Sequence, residues 1–247
     1  MNRKESRVAL VTGAAGTMGA ATAGRLAADG HRVALVDVAE DRLKPIIAAL
    51  GAAGHAIAAD ISNSADAERA VAEAERALGP VDILVNNAGI LSNNKAVETT
   101  PEEWRRVLAV NLDAAFYLAR RVLPGMKARR FGRIVNVCSL AMKSGGITAG
   151  TAYTASKGAL AALTFSLARE FAPFGVTVNG IAPAYVKTPM VTEQLTEAQR
   201  QALLQQIPVG RFCEPEEFAH CVAFLVSPMS GFITGEILDL NGGLHFD

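Results

Sequence analysis

Val8-Ala-Leu-Val-Thr12-Gly13-Ala14-Ala15-Gly16-Thr17-Met18-Gly19 is the stretch that decides the fold. Its first five residues are apolar or β-branched with no polar alternation, as in a strand covered on both faces. A run of small residues follows and opens directly into an Ala-rich helical pattern over 18–29. Strand, tight turn and helix start in that order form an anion cradle. Small residues let a diphosphate approach the backbone, and the first helical turn supplies amide donors and the positive end of the dipole. A strand-to-helix turn without ligand carries the same glycines, so the reading depends on what the rest of the chain does.

The alternation continues. Short apolar runs recur at 33–36, 56–59, 83–85, 134–137, 176–178 and 237–240, separated by helical stretches at 40–50, 64–78, 101–128, 152–171 and 215–226. Thr100-Pro101-Glu102-Glu103 is a helix start with Thr as N-cap, Pro at the first helical position and Glu at N3. Gly30, Gly51 and Gly79 stand where helix C-caps are wanted. The pattern predicts an α/β chain with one domain over 1–247: a doubly wound, seven-stranded parallel sheet with helices on both faces. Ligands of such sheets bind at the carboxyl ends of the strands, near the reversal of winding.

Composition narrows the partners. Twenty-four basic and 24 acidic side chains cancel, which gives no electrostatic reason for nucleic acid or an anionic membrane. An apolar content of 50% excludes disorder. The three cysteines form no CxxC pair and no His stands at ligand spacing, so no metal site is expected and reduced, buried thiols are. Met1 to Arg7 is polar where a signal peptide needs an apolar stretch, and no apolar run approaches the ~18 residues of a membrane span. The expectation is a cytoplasmic protein.

After the first strand, Gly13, Gly16, Thr17 and Met18 are candidate diphosphate contacts. The second strand ends at Asp37-Val38. A carboxylate there accepts hydrogen bonds from both adenosine ribose hydroxyls and repels a 2′-phosphate; no Lys or Arg follows directly or stands in the glycine loop, so NAD is expected as cofactor. Asp60-Ile61 after the third run is suited to the adenine amine, although Asp also commonly precedes a helix. Asn87-Ala88-Gly89 after the fourth run could pack beneath the adenine ribose, or be an ordinary turn.

Tyr153-Thr-Ala-Ser-Lys157 carries the chemistry. A spacing of four on a helix puts phenol and ammonium on one face. With three tyrosines and seven lysines in the chain, chance supplies such a pair only roughly 0.09 times. An ammonium about 4 Å from the phenol at an effective dielectric of ~20 contributes roughly 4 kcal/mol, at most about three pK units. A phenol so lowered takes a proton from an alcohol as hydride leaves.

These residues resemble the short-chain dehydrogenase/reductase family of the Tyr-xxx-Lys type, 3-oxoacyl reductases among them, from about Arg7 to Gly243. The resemblance implies a Rossmann-type fold and a set of roles. Tyr153 is the general acid/base, Lys157 tunes it and holds the nicotinamide ribose, and Ser139 binds the reacting oxygen. Asn111 holds a water that extends the proton path, and Pro183, Val186 and Thr188 contact the nicotinamide end. Three departures stand out: Thr17 where glycine is usual, Ala184 after Pro183 where Pro-Gly is usual, and 14 residues between Ser139 and Tyr153, one more than is commonest.

Residues 140–151 are expected to line the substrate site, with a lid over 185–207 carrying Val186, Met190, Val191 and Leu195. Lys95, Lys143 and Lys187 are candidate contacts for an anionic substrate group, or else solvated lysines. The leading expectation is an NAD-dependent oxidoreductase interconverting a small secondary alcohol and its ketone, a polyol or hydroxy acid. Two alternatives remain. One is a 3-oxoacyl-CoA or carrier-protein reductase, with Arg129-Arg130 receiving the acidic carrier; Pro173-Phe174 at the place of the second basic site speaks against it. The other is a non-catalytic dinucleotide-binding regulator. The family further implies a homotetramer packed through the helices at 101–128 and 152–171, with the C-terminal residues around His245 expected to reach a neighbouring subunit's site.

Overall fold

β1 (Val8–Thr12) is buried along its whole length, because strands flank both of its edges and helices cover both of its faces. A computed structural model describes residues 6–189 and 196–246. Its seven strands form one parallel sheet in the order β3-β2-β1-β4-β5-β6-β7. The others are β2 (Arg32–Asp37), β3 (Gly54–Ala58), β4 (Ile83–Asn86), β5 (Gly132–Val137), β6 (Val176–Pro183) and β7 (Ile237–Leu240). The chain winds from β1 out to β3, then crosses back to β4 and runs out to β7. The reversal between β1 and β4 opens the crevice where ligands of doubly wound sheets sit.

Period-two alternation sorts the strand side chains into two layers. Ala9, Val11, Leu35 and Val85 face α1 (Thr17–Ala28), α2 (Glu40–Leu50) and the helix Pro215–Val226, meeting Leu26, Leu43 and Phe218. Val8, Leu10, Val36 and Leu84 face α3 (Ser64–Leu78), α5 (Ala114–Arg129) and α7 (Thr151–Phe171), meeting Val71, Leu118 and Leu167. Each fully buried aliphatic side chain stabilises the fold by about 1.5–3 kcal/mol, so both layers are needed to hold the sheet. Gly30, Gly51 and Gly79 take φ of +94°, +57° and +99° at the ends of α1, α2 and α3, where the sequence places C-caps.

Two elements differ from the sequence reading. The helix expected over 101–128 is α4 (Pro101–Leu108), a π-helical turn at Ala109–Asp113, and α5. The wide turn carries buried Asn111, whose side chain accepts from the Ile90 amide at 2.8 Å and donates to the Ile90 carbonyl at 3.0 Å. β6 runs five residues beyond the expected 178, through Asn179 and Gly180. Those residues look like a turn in sequence, but β5 and β7 pair with the strand on either side. A Cβ on Gly180 would stand 2.6 Å from Ile237 Cδ1.

The α4 cap is half of the expected reciprocal box. Thr100 Oγ1 accepts from the Glu103 amide at 3.1 Å, but the Glu103 carboxylate turns away to Ser92 and Asn94. Of the expected lid, Met190, Val191 and Leu195 lie outside the described residues. Among the described residues, no helix is long and apolar enough to cross a membrane.

Candidate active site

The turn after β1 is built for close approach. Gly13 has φ +62°, and a Cβ there would stand 2.8 Å from Ala88 Cα; one on Gly19 would stand 2.3 Å from the Gly13 carbonyl oxygen. Gly16 is the N-cap of α1 and Thr17 its first residue. The first-turn amides of Thr17, Met18 and Gly19 therefore have no acceptor inside the helix and face the crevice end of α1. Thr17 is accommodated as an ordinary first-turn residue.

Thr12, not singled out from sequence as a ligand-site residue, locks this turn to β4. Its hydroxyl donates to the Val85 carbonyl at 3.3 Å and accepts from the amides of Asn87 and Ala88, both at 3.0 Å. Asn87 Nδ2 donates to the carbonyls of Thr12 and Gly13 at 2.9 and 3.1 Å, while its buried Oδ1 has no protein partner. An acceptor with no protein donor fits a nucleotide hydroxyl, and the cradle beside it, too tight for a Cβ, lets a diphosphate approach the backbone.

Asp37 closes β2 beside that loop. Its carboxylate accepts from the Ala15 amide at 3.0 Å and the Ala39 amide at 3.1 Å, with Val38 exposed next to it. A basic residue that the sequence reading missed stands here as well: Arg42, on α2, donates to the Ala15 carbonyl at 3.1 Å. It stands five residues beyond Asp37 in sequence, and only the folding of the first turn of α2 back over the glycine loop brings it there. Asp60 accepts from the Ser62 amide and hydroxyl at 3.1 and 2.6 Å, as a residue leading into a helix does. Ile61 is buried in the core, so only its backbone is available to a ligand.

At the other end of the crevice, Met18, Asn87, Gly89, Ser139, Tyr153, Lys157, Pro183, Val186 and Thr188 line one cleft of about 290 Å³. Gly13, Gly16, Thr17, Asp37, Val38, Asp60, Ile61, Ala88 and Asn111 are outside its lining. Asn111 stands behind the wall: it donates to Ser156 Oγ at 3.0 Å, and a Cβ on Gly89 would meet both Asn111 Oδ1 and Lys157 Nζ at 3.3 Å. Glycine at 89 thus lets lysine and asparagine converge.

Tyr153 and Lys157 share one face of α7, as their spacing requires. Lys157 is buried, with Nζ 5.7 Å from the Tyr153 ring centroid and donating to the Val137 carbonyl at 2.6 Å. Burial governs both groups. It pushes the Tyr153 phenol above its ordinary value, a hydrogen bond with Ser139 opposing it, and brings the Lys157 ammonium down to about 8. The expected lowering of the phenol by a nearby ammonium is thus outweighed: desolvation is paid in full, whereas Lys157 directs its charge at a carbonyl. The extra residue between Ser139 and Tyr153 does not part them. The stretch between them holds the short α6 (Ala141–Ser144), followed by Gly145 and Gly146, both at φ +74°.

None of the three candidate lysines is an unpaired cation in the cleft. Lys143 pairs with Asp239 at 2.7 Å, Lys187 with Glu214 at 3.0 Å, and Lys95 donates to backbone carbonyls. Among the described residues, Lys157 is the only lysine or arginine lining the cleft, and no carboxylate lines it.

A family model described as enoyl-(acyl carrier protein) reductase matches residues 13–245. The 3-oxoacyl-[acyl-carrier-protein] reductases of Vibrio cholerae and Escherichia coli are 42% and 39% identical to the chain, and the acetoacetyl-CoA reductase of Shinella zoogloeoides is 40% identical. Each comparison covers at least 98% of both sequences. A crystal structure of the Brucella melitensis 3-ketoacyl-(acyl-carrier-protein) reductase complexed with NADH superposes with a TM-score of 0.91 at 35% identity, covering 99% of this chain and 100% of the other. The expectation of a small polyol or hydroxy acid as substrate is overturned: these full-length relatives are named for 3-oxoacyl and acetoacetyl thioesters. Fold, glycine turn, tyrosine–lysine pair and full-length likeness agree, and the chain belongs to the short-chain dehydrogenase/reductase family.

Proposed function

We propose that the chain reduces 3-oxoacyl thioesters, on acyl carrier protein or coenzyme A, with NADH as hydride donor. The observation that carries this reading is an apolar cleft whose deep end joins Ser139, Tyr153 and Lys157 and whose mouth is edged by exposed Leu91 and Ile147. Such walls suit an acyl chain that enters extended, and the relatives' thioester activities agree with it. Steady-state assays of acetoacetyl-CoA with NADH and NADPH, set beside oxidation of polyols with NAD, test the reading. Turnover of the polyols alone would overturn it.

The residues present fit a dinucleotide. Gly13, Gly16, Thr17 and Met18 would hold the diphosphate at the α1 N-terminus, and Asp37 and Val38 the adenosine ribose. Asp60 and Ile61 would border the adenine, with Asn87, Ala88 and Gly89 beneath. Tyr153, Lys157, Pro183, Val186 and Thr188 would surround the nicotinamide end. Bound in its reduced form, the cofactor supplies the hydride.

Ser139 would hold the 3-oxo oxygen and Tyr153 would donate its phenolic proton there as negative charge develops. A phenol kept protonated by burial is suited to act as an acid, which is the reductive direction. Lys157 would return a proton to Tyr153, and Asn111, fixed by Ile90 and Ser156, would hold a water connecting Lys157 to solvent. The lysine sets the pH dependence. With its ammonium at about 8, it is charged below that pH and neutral above, so kcat for reduction is expected to fall as the pH rises through about 8. A flat profile from pH 7 to 9.5 would remove the lysine from the relay.

Near Pro173-Phe174, Lys127 Nζ of α5 lies 4.0 Å from the Phe174 ring centroid and Arg130, the residue after α5, donates to the Pro173 carbonyl at 3.2 Å, so two exposed cations border that turn. These would receive an acidic carrier. Reversing both charges, Lys127→Glu with Arg130→Glu, is expected to raise KM for a carrier-bound substrate about tenfold while leaving a neutral N-acetylcysteamine thioester unaffected. Equal effects on both would remove the docking role.

A homotetramer is part of the same reading. Trp104 on α4, Phe116 on α5 and Phe165 on α7 are partly exposed apolar residues on the helices expected to pair. A monomeric mass in sedimentation would contradict it.

A further inference from the structure

We infer that Lys95 is a positioning residue that fixes the substrate-side wall of the cleft. The inference rests on the reading of that cleft as the acyl site. The wall is made by Gly146, Ile147, Thr148 and Ala149, in the irregular segment between α6 and α7. Such a segment has no ladder of its own, and two left-handed glycines at 145 and 146 leave it many conformations in isolation. Something outside it must choose one.

Lys95 does so from the loop after β4. Its Nζ donates to the carbonyls of Gly146 and Ala149, both at 2.7 Å, and so staples the two ends of the wall to one ammonium. A charged donor makes stronger bonds than a neutral one, and two acceptors three residues apart define a curvature as well as a position. Backbone contacts continue the seam. The amide of Gly150 donates to the Ser92 carbonyl at 2.7 Å and that of Thr151 to the Asn94 carbonyl at 3.0 Å. The approach is so close that a Cβ on Gly150 would stand 2.5 Å from the Asn94 oxygen.

The strut bearing Lys95 is itself held. Glu103, in the first turn of α4, accepts from the Ser92 hydroxyl and from Asn94 Nδ2, the latter at 2.8 Å. Thr99 Oγ1 donates to the Lys95 carbonyl at 2.9 Å. A chain of bonds thus runs from α4 through Glu103, Ser92 and Asn94 to Lys95, and from its ammonium to the wall. At the near end of the segment, Lys143 on α6 pairs with Asp239 of β7. The substrate wall is thus pinned at two points by lysines that bond to protein and do not line the cleft.

Lys95→Met keeps the apolar stem and removes the donors, whereas Lys95→Arg keeps donors and charge. In the methionine variant, KM for acetoacetyl-CoA is expected to rise about tenfold with kcat changed by less than about threefold, since the reacting groups lie on α7 and after β5 rather than on this wall. The Kd for NADH, read by nucleotide fluorescence, should stay the same, and arginine should restore most of the KM. Hydrogen exchange at the amides of 146–149 should accelerate in the methionine variant, whatever the substrate. Unchanged exchange would overturn the inference, as would an unchanged KM in an enzyme that turns over acetoacetyl-CoA. Accelerated exchange in a protein inert towards acetoacetyl-CoA would uphold the positioning role and sink the substrate reading instead.

Discussion

Tyr153→Phe is expected to lower kcat for 3-oxoacyl thioester reduction by about 10³-fold, with the Kd for NADH unchanged within about twofold; a positioned proton donor contributes typically 10²–10⁴-fold. The substitution removes one oxygen and leaves the ring packed on α7, so neither the fold nor the cleft needs to change. The hydroxyl is the group that burial keeps protonated and that Ser139 contacts. Without it the developing alkoxide has only Ser139 beside it, because in this relay Lys157 acts on the substrate through the phenol. Stopped-flow nicotinamide absorbance gives the rate and fluorescence titration the affinity. A variant with wild-type turnover would remove the acid/base assignment and revive the reading of a dinucleotide-binding regulator.

Asp37→Ala is expected to erode the preference for NADH over NADPH by about 10- to 100-fold, the range set by losing hydrogen bonds to a charged group. The carboxylate now accepts from the Ala15 and Ala39 amides at the rim of the adenosine site, where it would bind ribose hydroxyls and repel a 2′-phosphate. Its removal frees the Ala15 amide and lifts the repulsion. Arg42, already on the Ala15 carbonyl, is then the cation at this rim, and a guanidinium matches phosphate geometry. Adding Arg42→Ala should therefore abolish the gain in NADPH affinity. Kd values for both nucleotides against wild type, single and double variants check it; a single variant still indifferent to NADPH would show that Asp37 does not select the cofactor.

What could be read from sequence followed the range of the interactions involved. The pair Tyr153 and Lys157 was legible because one helical turn fixes their relation. The glycine turn was legible because its order along the chain is its structure. β6 was read short because Asn179-Gly180 mimics a turn when its neighbours β5 and β7 are unknown. The π-helical turn at Asn111 left no trace, since it depends on the Ile90 backbone 21 residues away. Arg42 and Glu103 leave no functional trace in sequence for the same reason, and Lys95 reads there as a contact for an anionic substrate group. Lys95 and Arg42 bond backbone carbonyls and Glu103 bonds the side chains of Ser92 and Asn94, partners that only the completed fold brings near. For the phenol, spacing identifies the right partners, but burial, which no local pattern measures, sets the sign of the shift.

On the proposed reading, this cleft delivers hydride from a nicotinamide to the 3-oxo carbon of an acyl thioester. Incubation with acetoacetyl-CoA and NADH deuterated at C4, followed by mass spectrometry of the product, tests it directly. Deuterium at C3 of a 3-hydroxybutyryl thioester is expected from one of the two C4 epimers and not from the other. NADH bound but unconsumed, or a product without label from either epimer, would contradict it.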